Sequence, residues 1–116
     1  MEISKIASLA YDILDDKKAK NIEVIDISDV SVLADYFIIC SGTSNTHIRA
    51  LSDELDFKME EAGYNLLHKE GYDSARWILL DFGEVVVHIF HEEDRSFYSL
   101  ERLWADGKFM TPDDRK

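Results

Sequence analysis

The sequence predicts a single α/β domain in which helices pack on a mixed β-sheet. Segments with helical spacing of apolar residues alternate with short segments rich in β-branched and aromatic residues. Residues 36–40 are continuously apolar, which is typical of a central strand covered on both faces. Residues 77–82 and 85–90 are separated only by Gly83-Glu84, as in an antiparallel hairpin. A chain of 116 residues is long enough for one such domain and its core.

The first half of the chain predicts one helix and two strands. Apolar residues recur at helical spacing through a segment free of glycine and proline, so we predict an amphipathic helix that ends at about Lys18. Residues 22–27 are predicted as the first strand, and residues 35–40 as the central strand after an irregular connection. The apolar face of the helix comprises Ile3, Ile6, Ala7, Ala10, Ile13 and Leu14.

A second helix is predicted after the small polar residues 41–45. Ser44 or Asn45 is placed to cap it, and Gly63 suits the left-handed residue that closes it. A short strand is expected over residues 64–68, followed by a turn at residues 69–71. One face of this helix is apolar and consists of Ile48, Leu51, Leu55, Met59 and Ala62.

The chain is predicted to end with a hairpin, a helix and a tail. After the hairpin, Phe97, Leu100 and Trp104 recur at helical spacing, which predicts a helix over residues 96–105. The predicted order is therefore α-β-β-α-β-β-β-α. We assign residues 1–106 to the domain and expect residues 107–116, which contain the only proline and end in charges, to form a mobile tail.

Composition favours a basic protein partner over nucleic acid. Thirteen Lys and Arg against 24 Asp and Glu give a net charge of −11, which repels a phosphate backbone unless basic residues gather on one face. The one tight basic cluster, within residues 17–20, adjoins Asp15 and Asp16 and is typical of a solvated helix end. The alternative is that the negative charge serves solubility only.

Cysteine usage and the start of the chain predict a cytoplasmic protein. Cys40, the single cysteine, lies in an apolar run and is expected to be a small buried hydrophobic residue. The first residues lack a basic segment followed by a long apolar stretch, and no 18 apolar residues run together. We therefore expect neither export nor a membrane span.

Residues 41–45 leave three interpretations open. They form a capped turn, an anion-binding turn at a helix start, or part of a metal-dependent nucleotidyl or phosphoryl transferase. A transferase also needs two closely spaced carboxylates on the next strand to hold metal, and residues 64–68 supply none. His88 and His91 are three apart on a strand, so their side chains should point to opposite faces rather than share a metal, and they are expected to be surface or partly buried residues. No metal or cofactor is therefore expected.

Residues 70–77 have the composition of a binding site. Trp, Tyr and Arg dominate binding hot spots because they combine large apolar area with a fixed polar group, and Tyr72, Arg76 and Trp77 adjoin the start of the hairpin. Composition alone leaves Trp77 divided between core packing and contact with a partner.

Three segments together resemble the ribosomal silencing factor (Iojap-like) family. They are residues 34–42, residues 70–71 with 77–90, and residues 95–106, and the likeness covers nearly the whole chain. Many relatives have an aromatic residue, glycine and aspartate where this chain has Phe82-Gly83-Glu84. Glu84 keeps the negative charge of that aspartate.

The resemblance implies a function as well as a fold. Members have a nucleotidyltransferase-like fold without transferase activity. They bind the large ribosomal subunit through its basic protein L-fourteen, block joining of the small subunit and lower translation when nutrients are scarce. An acidic chain suits that partner, and apolar patches would allow a homodimer when no ribosome is bound. The residues that match the family's binding surface are Lys69, Glu70, Gly71, Arg76, Trp77, Asp81 and Tyr98.

Overall fold

The computed structural model describes residues 5–27 and 34–92, together with the backbone of residues 108–110. Two helices and six strands are found in these residues. In chain order they are α1 (Lys5–Asp16), β1 (Lys20–Asp26), β2 (Tyr36–Gly42), α2 (Asn45–Glu61), β3 (His68–Glu70), β4 (Trp77–Asp81), β5 (Val85–His91) and β6 (Lys108–Met110).

The described strands form one mixed sheet in the order β3-β4-β5-β2-β1-β6. Strand β2 pairs in parallel with β5 and antiparallel with β1, so the predicted central strand is confirmed. Parallel strands need a crossover connection, and α2 lies within the chain segment that joins β2 to β5. Strands β4 and β5 pair antiparallel, which confirms the predicted hairpin.

Helices α1 and α2 pack on one face of the sheet, where the larger core cluster lies. Strand residues alternate between the two faces, so Ile38 and Cys40 of β2 belong to this cluster while Ile39 belongs to a smaller cluster on the opposite face. Ile39 and Phe90 are both buried there. The sheet is thus apolar on both faces at its centre, as the continuous apolar run predicts.

Both ends of α2 agree with the predicted signals. Ser44 is the N-cap, with extended backbone, and its Oγ accepts a hydrogen bond of 3.0 Å from the His47 amide. Gly63, at the other end, has a φ of +93°, a conformation that glycine adopts without steric cost. Capping by Ser44 rather than Asn45 resolves the alternative that the sequence left open.

The third strand lies later in the chain than predicted. The expected strand at residues 64–68 and turn at residues 69–71 are wrong, because Lys69 and Glu70 pair with Leu80 and Leu79 of β4. The Leu67 amide also donates to the Asp81 carbonyl at 2.8 Å. Pairing with β4 therefore decides this strand, and of residues 69–71 only Gly71 lies outside it, with a φ of +84°.

At the end of the chain, residues 108–110 differ from the expected mobile tail. They form β6, which pairs antiparallel with residues 24–26 of β1. Backbone groups along the outer edge of a strand such as β1 can pair with a short segment whatever its side-chain pattern. The helix predicted over residues 96–105, with Tyr98, lies outside the described residues. In the described part of the chain, no helix is long and apolar enough to span a membrane.

Burial of Cys40 gives a prediction about stability. Its side chain is fully buried in the helix-side cluster, so Cys40→Ser should lower the free energy of unfolding by about 1–2 kcal/mol because a hydroxyl enters apolar surroundings. Cys40→Ala removes the same sulfur without adding a hydroxyl and should be the more stable of the two variants. Urea unfolding of both measures the difference, and a serine variant as stable as the original chain would contradict this account.

Candidate functional site

A pocket of about 300 Å³ opens at one end of the β3–β4 pair and is lined by Glu70, Gly71, Trp77 and Leu79. Trp77 and Leu79 alternate along β4 with Ile78, which belongs to the helix-side core. The pocket therefore lies on the face of the sheet opposite α1 and α2. Apolar surface lines most of it, with the Glu70 carboxylate at the solvent-exposed edge.

The floor of the pocket requires glycine at position 71. A Cβ atom on Gly71 would lie 2.0 Å from the Trp77 carbonyl oxygen, and the φ of +84° disfavours any other residue. The Gly71 carbonyl accepts a hydrogen bond of 3.0 Å from the Ala75 amide, which closes residues 71–75 into a tight loop. This loop brings the start of β4 against the end of β3.

Helix α2 holds this loop in place. Arg49 Nε donates to the Tyr72 carbonyl at 3.0 Å, and the Arg49 guanidinium also donates to the Asp73 carbonyl. The Tyr72 hydroxyl donates to Asp53 Oδ2 at 3.0 Å, and this bond to a carboxylate raises the pKa of the phenol. Hydrogen bonds to Arg49 and Asp53 therefore fix the loop beside the pocket to α2.

Trp77 is half-buried, so core packing applies to part of its ring, while its contact with a partner stays a prediction. One part packs on the smaller core cluster, where its ring stacks on Phe90 at a centroid distance of 5.0 Å and an interplanar angle of 27°. The indole Nε1 donates a hydrogen bond of 3.0 Å to Nδ1 of His88. Another part of the side chain lines the pocket, where it is available to a partner.

His88 lies beneath Trp77 and is only 4% exposed. The strand register places it between Ile39 of β2 and Leu79 of β4, and the Phe37 ring meets it edge-on at 4.7 Å. Burial among apolar groups lowers the pKa of His88 to about 4, so the imidazole is neutral near pH 7.

The expectation of surface or partly buried histidines is wrong for His88 and His91, which is 9% exposed. Sequence analysis also missed His88 and Leu79 as functional candidates. Alternation along the strand places His88 on the same face as the apolar residues Val86 and Phe90. This spacing could have indicated from the sequence that His88 is buried.

The structure brings three of the seven predicted binding residues together, namely Glu70, Gly71 and Trp77. Lys69 points to the helix side, where its Nζ lies 3.5 Å from Asp56 Oδ2 and above the Tyr72 ring. Asp81 lies at the far end of β4, and its Oδ1 accepts a hydrogen bond of 2.8 Å from the Gly83 amide.

Arg76, a further predicted residue, contributes no lining to this pocket. The Arg76 side chain is exposed next to the pocket, and its carbonyl accepts a hydrogen bond from the His91 amide. Tyr98 lies outside the described residues.

The turn at residues 41–45 is a capped helix start. The Thr43 amide donates to His47 Nδ1 at 3.1 Å, and the Ile48 amide donates to the Ser44 carbonyl at 2.9 Å. Because the His47 amide is also bound, by Ser44 Oγ, three N–H groups near the helix start already have acceptors. In the part of the chain that the structure describes, no three His, Cys, Asp or Glu side chains gather as a metal site.

The whole chain, residues 1–116, matches the family model described as "Ribosomal silencing factor during starvation". It is 45% identical over 105 residues to a protein from Bacillus subtilis named "Ribosomal silencing factor RsfS", an alignment that covers 90% of this chain and 86% of the relative. A crystal structure of a protein from Chromobacterium violaceum is 38% identical, with a TM-score of 0.86 over 90% of this chain and 88% of the other. These likenesses confirm the mixed α/β fold.

A more distant relative carries a name that mentions the large ribosomal subunit. It is the mouse protein named "Mitochondrial assembly of ribosomal large subunit protein 1", which is 35% identical over 102 residues. The alignment covers 84% of this chain and 44% of the mouse protein.

Two glycines with similar φ angles test whether the pocket requires glycine at position 71. Gly71→Ala should lower the free energy of unfolding by about 2–4 kcal/mol, because its Cβ meets the Trp77 carbonyl as well as a positive φ. Gly63→Ala is the matched control, since nothing lies within 4 Å of its Cβ, and should cost only about 1 kcal/mol. Thermal and urea unfolding of both variants measure these costs. Equal losses would show that the close approach of Gly71 to Trp77 is unimportant.

The buried His88 predicts a pH dependence of stability. Its folded pKa is lowered from 6.5 to about 4, so its contribution is complete above pH 6.5 and is lost as pH falls from 6.5 to 4. Between pH 7 and pH 5 the loss from this group should be about 2 kcal/mol. Urea unfolding at both pH values should show a loss about 2 kcal/mol smaller for His88→Leu, which lacks the titrating group. The same pH dependence in both proteins would rule out a buried neutral His88.

Proposed function

This chain belongs to the ribosomal silencing factor family, and we propose that it represses translation by binding the large ribosomal subunit and blocking the small subunit from joining. The observation that carries this proposal is the pocket on the helix-free face, with a half-buried Trp77 and an exposed Glu70 at its edge. We further propose that the contact on the ribosome is the basic protein L-fourteen.

The chemistry of the pocket suits contact with a basic protein. The Trp77 ring supplies apolar area without the entropy cost of a long flexible side chain, because stacking on Phe90 already orders it. The Glu70 carboxylate, 3.0 Å from His68 Nε2 at the surface, remains 67% exposed and can meet a cation of the partner. The net charge of −11 favours approach to a basic protein and disfavours binding to ribosomal RNA.

The relatives' names support an association with the ribosome. The bacterial relative is named a ribosomal silencing factor, and the mouse relative is named for assembly of the large ribosomal subunit. We extend both statements to this chain, and we place its action in the bacterial cytoplasm, where ribosomes are found.

A binding role needs no catalytic group, and the residues considered for transferase chemistry are engaged in other contacts. Near the start of α2, the Thr43 amide donates to His47 and the His47 amide donates to Ser44, so side chains of the turn itself occupy these two donors. Asp81 bonds to the Gly83 amide in the hairpin turn. We therefore propose a regulatory protein rather than an enzyme.

The same face would be the contact between two copies in a homodimer when no ribosome is bound. The exposed parts of Trp77 and Leu79 gain by leaving water, whether a second copy or a ribosome covers them. In this proposal the homodimer and the ribosome compete for one surface, so the dimer stores the protein without silencing translation.

Trp77→Ala tests the proposal directly. Truncation should weaken binding to purified large subunits by about 2 kcal/mol, roughly thirtyfold, because the ring is the largest apolar group in the pocket. Part of the ring packs on the smaller core cluster, so we also expect stability to fall by about 1–3 kcal/mol. Co-sedimentation with large subunits, over a range of protein concentrations, gives the affinity.

The control is Phe57→Ala, an aromatic truncation on α2 at a side chain that is 57% exposed and does not line the pocket. It should bind like the original chain. Circular dichroism first establishes that each variant is folded. A folded Trp77→Ala protein that binds large subunits as tightly as the control, and still blocks their joining, would refute this pocket as the contact.

A further inference from the structure

We infer that His88 is a positioning residue of the binding face: by accepting the indole N–H of Trp77, it holds the ring as a wall of the pocket. The hydrogen bond joins Trp77 Nε1 to His88 Nδ1 at 3.0 Å across the β4–β5 pair. The bearing of this bond on ribosome binding rests on the proposed function, whereas its effect on the Trp77 ring does not.

The direction of the hydrogen bond follows from the chemistry of the two rings. An indole N–H can only donate, so Nδ1 of His88 must accept through its lone pair. Its proton is therefore on Nε2, and among the described residues no acceptor lies within hydrogen-bonding distance of that atom. His88 is only 4% exposed, and among the described residues its side chain makes one hydrogen bond, which is the bond to Trp77.

The surrounding residues leave His88 little freedom to move. Its neighbours in register, Ile39 and Leu79, lie on the strands at either side, and the Phe37 ring meets its edge at 4.7 Å. The imidazole is therefore a fixed acceptor rather than one that follows the indole. If Trp77 turned away into solvent, Nδ1 would be left buried without a donor, which is costly in apolar surroundings.

Stacking and hydrogen bonding restrict different motions of Trp77. Phe90, its direct partner in the register, supports the plane of the indole ring at a centroid distance of 5.0 Å. Stacking alone permits the ring to turn within that plane, whereas the bond to His88 fixes where Nε1 points. The pocket is thereby formed before a partner arrives, and less entropy is lost on binding.

A matched pair of variants isolates the acceptor. In His88→Asn, the side-chain oxygen can occupy the place of Nδ1, whereas His88→Leu has a similar size and branching but no acceptor. Both variants remove the imidazole ring. Leucine suits an apolar site at least as well as asparagine, so a purely structural role would favour His88→Leu in every measurement.

The first measurement uses the free protein. Hydrogen exchange and chemical shift of the Trp77 indole proton are followed by nuclear magnetic resonance, and Trp77→Phe identifies the resonance. We expect slow exchange in the original chain and in His88→Asn, and exchange about fivefold to tenfold faster in His88→Leu, as loss of one hydrogen bond predicts. Fast exchange in the original chain would refute the inference without any variant having to fold.

The second measurement is co-sedimentation of the same proteins with large ribosomal subunits. We expect His88→Leu to bind about fivefold to tenfold more weakly than His88→Asn, although it is at least as stable to urea. Equal binding by the two folded variants would overturn the positioning role. If the original chain does not bind large subunits at all, the proposed function fails, while the exchange measurement still decides whether His88 orders Trp77.

Discussion

The parallel pairing of β2 with β5 is the constraint on which the rest of the fold depends. Both strands are buried along almost their whole length, and seven residue pairs align between Tyr36 and Gly42 on one side and Val85 and His91 on the other. A parallel pair cannot be closed by a tight turn, so the intervening chain must cross over. That crossover supplies α2, the edge strand β3 and the hairpin strand β4 that form the pocket.

Both described helices cover one face of the sheet, and the proposed recognition site lies on the opposite face. Aromatic rings of Phe37, Trp77 and Phe90 cluster there around His88. A buried imidazole in such a place departs from the rule that cores are apolar, and departures of this kind are expected where function competes with stability. Its bond to Trp77 offsets part of the cost of burial. Meanwhile Arg49 of α2 holds the loop beside the pocket from the helix side.

Local signals in the sequence were enough for much of this description. Ser44 and Gly63 mark the ends of α2 because capping and a positive φ depend on one residue and its close neighbours. The apolar run before Ser41 predicts the central strand because burial on both faces leaves no room for polar side chains. Trp77 and the glycine at position 71 stood out as binding residues through composition and family resemblance, and the structure places both in the pocket.

Only the tertiary structure decided which distant segments of the chain pair with each other. The chain alone determined the α/β class, the central strand, the hairpin and the acidic character, since each depends on local pattern or composition. The placement of β3 at His68–Glu70 and the addition of β6 at Lys108–Met110 depended on the edges that β4 and β1 presented. The neutral His88 under Trp77 likewise exists only in the folded sheet, because strand register alone brings residues 77 and 88 to hydrogen-bonding distance and removes the imidazole from water.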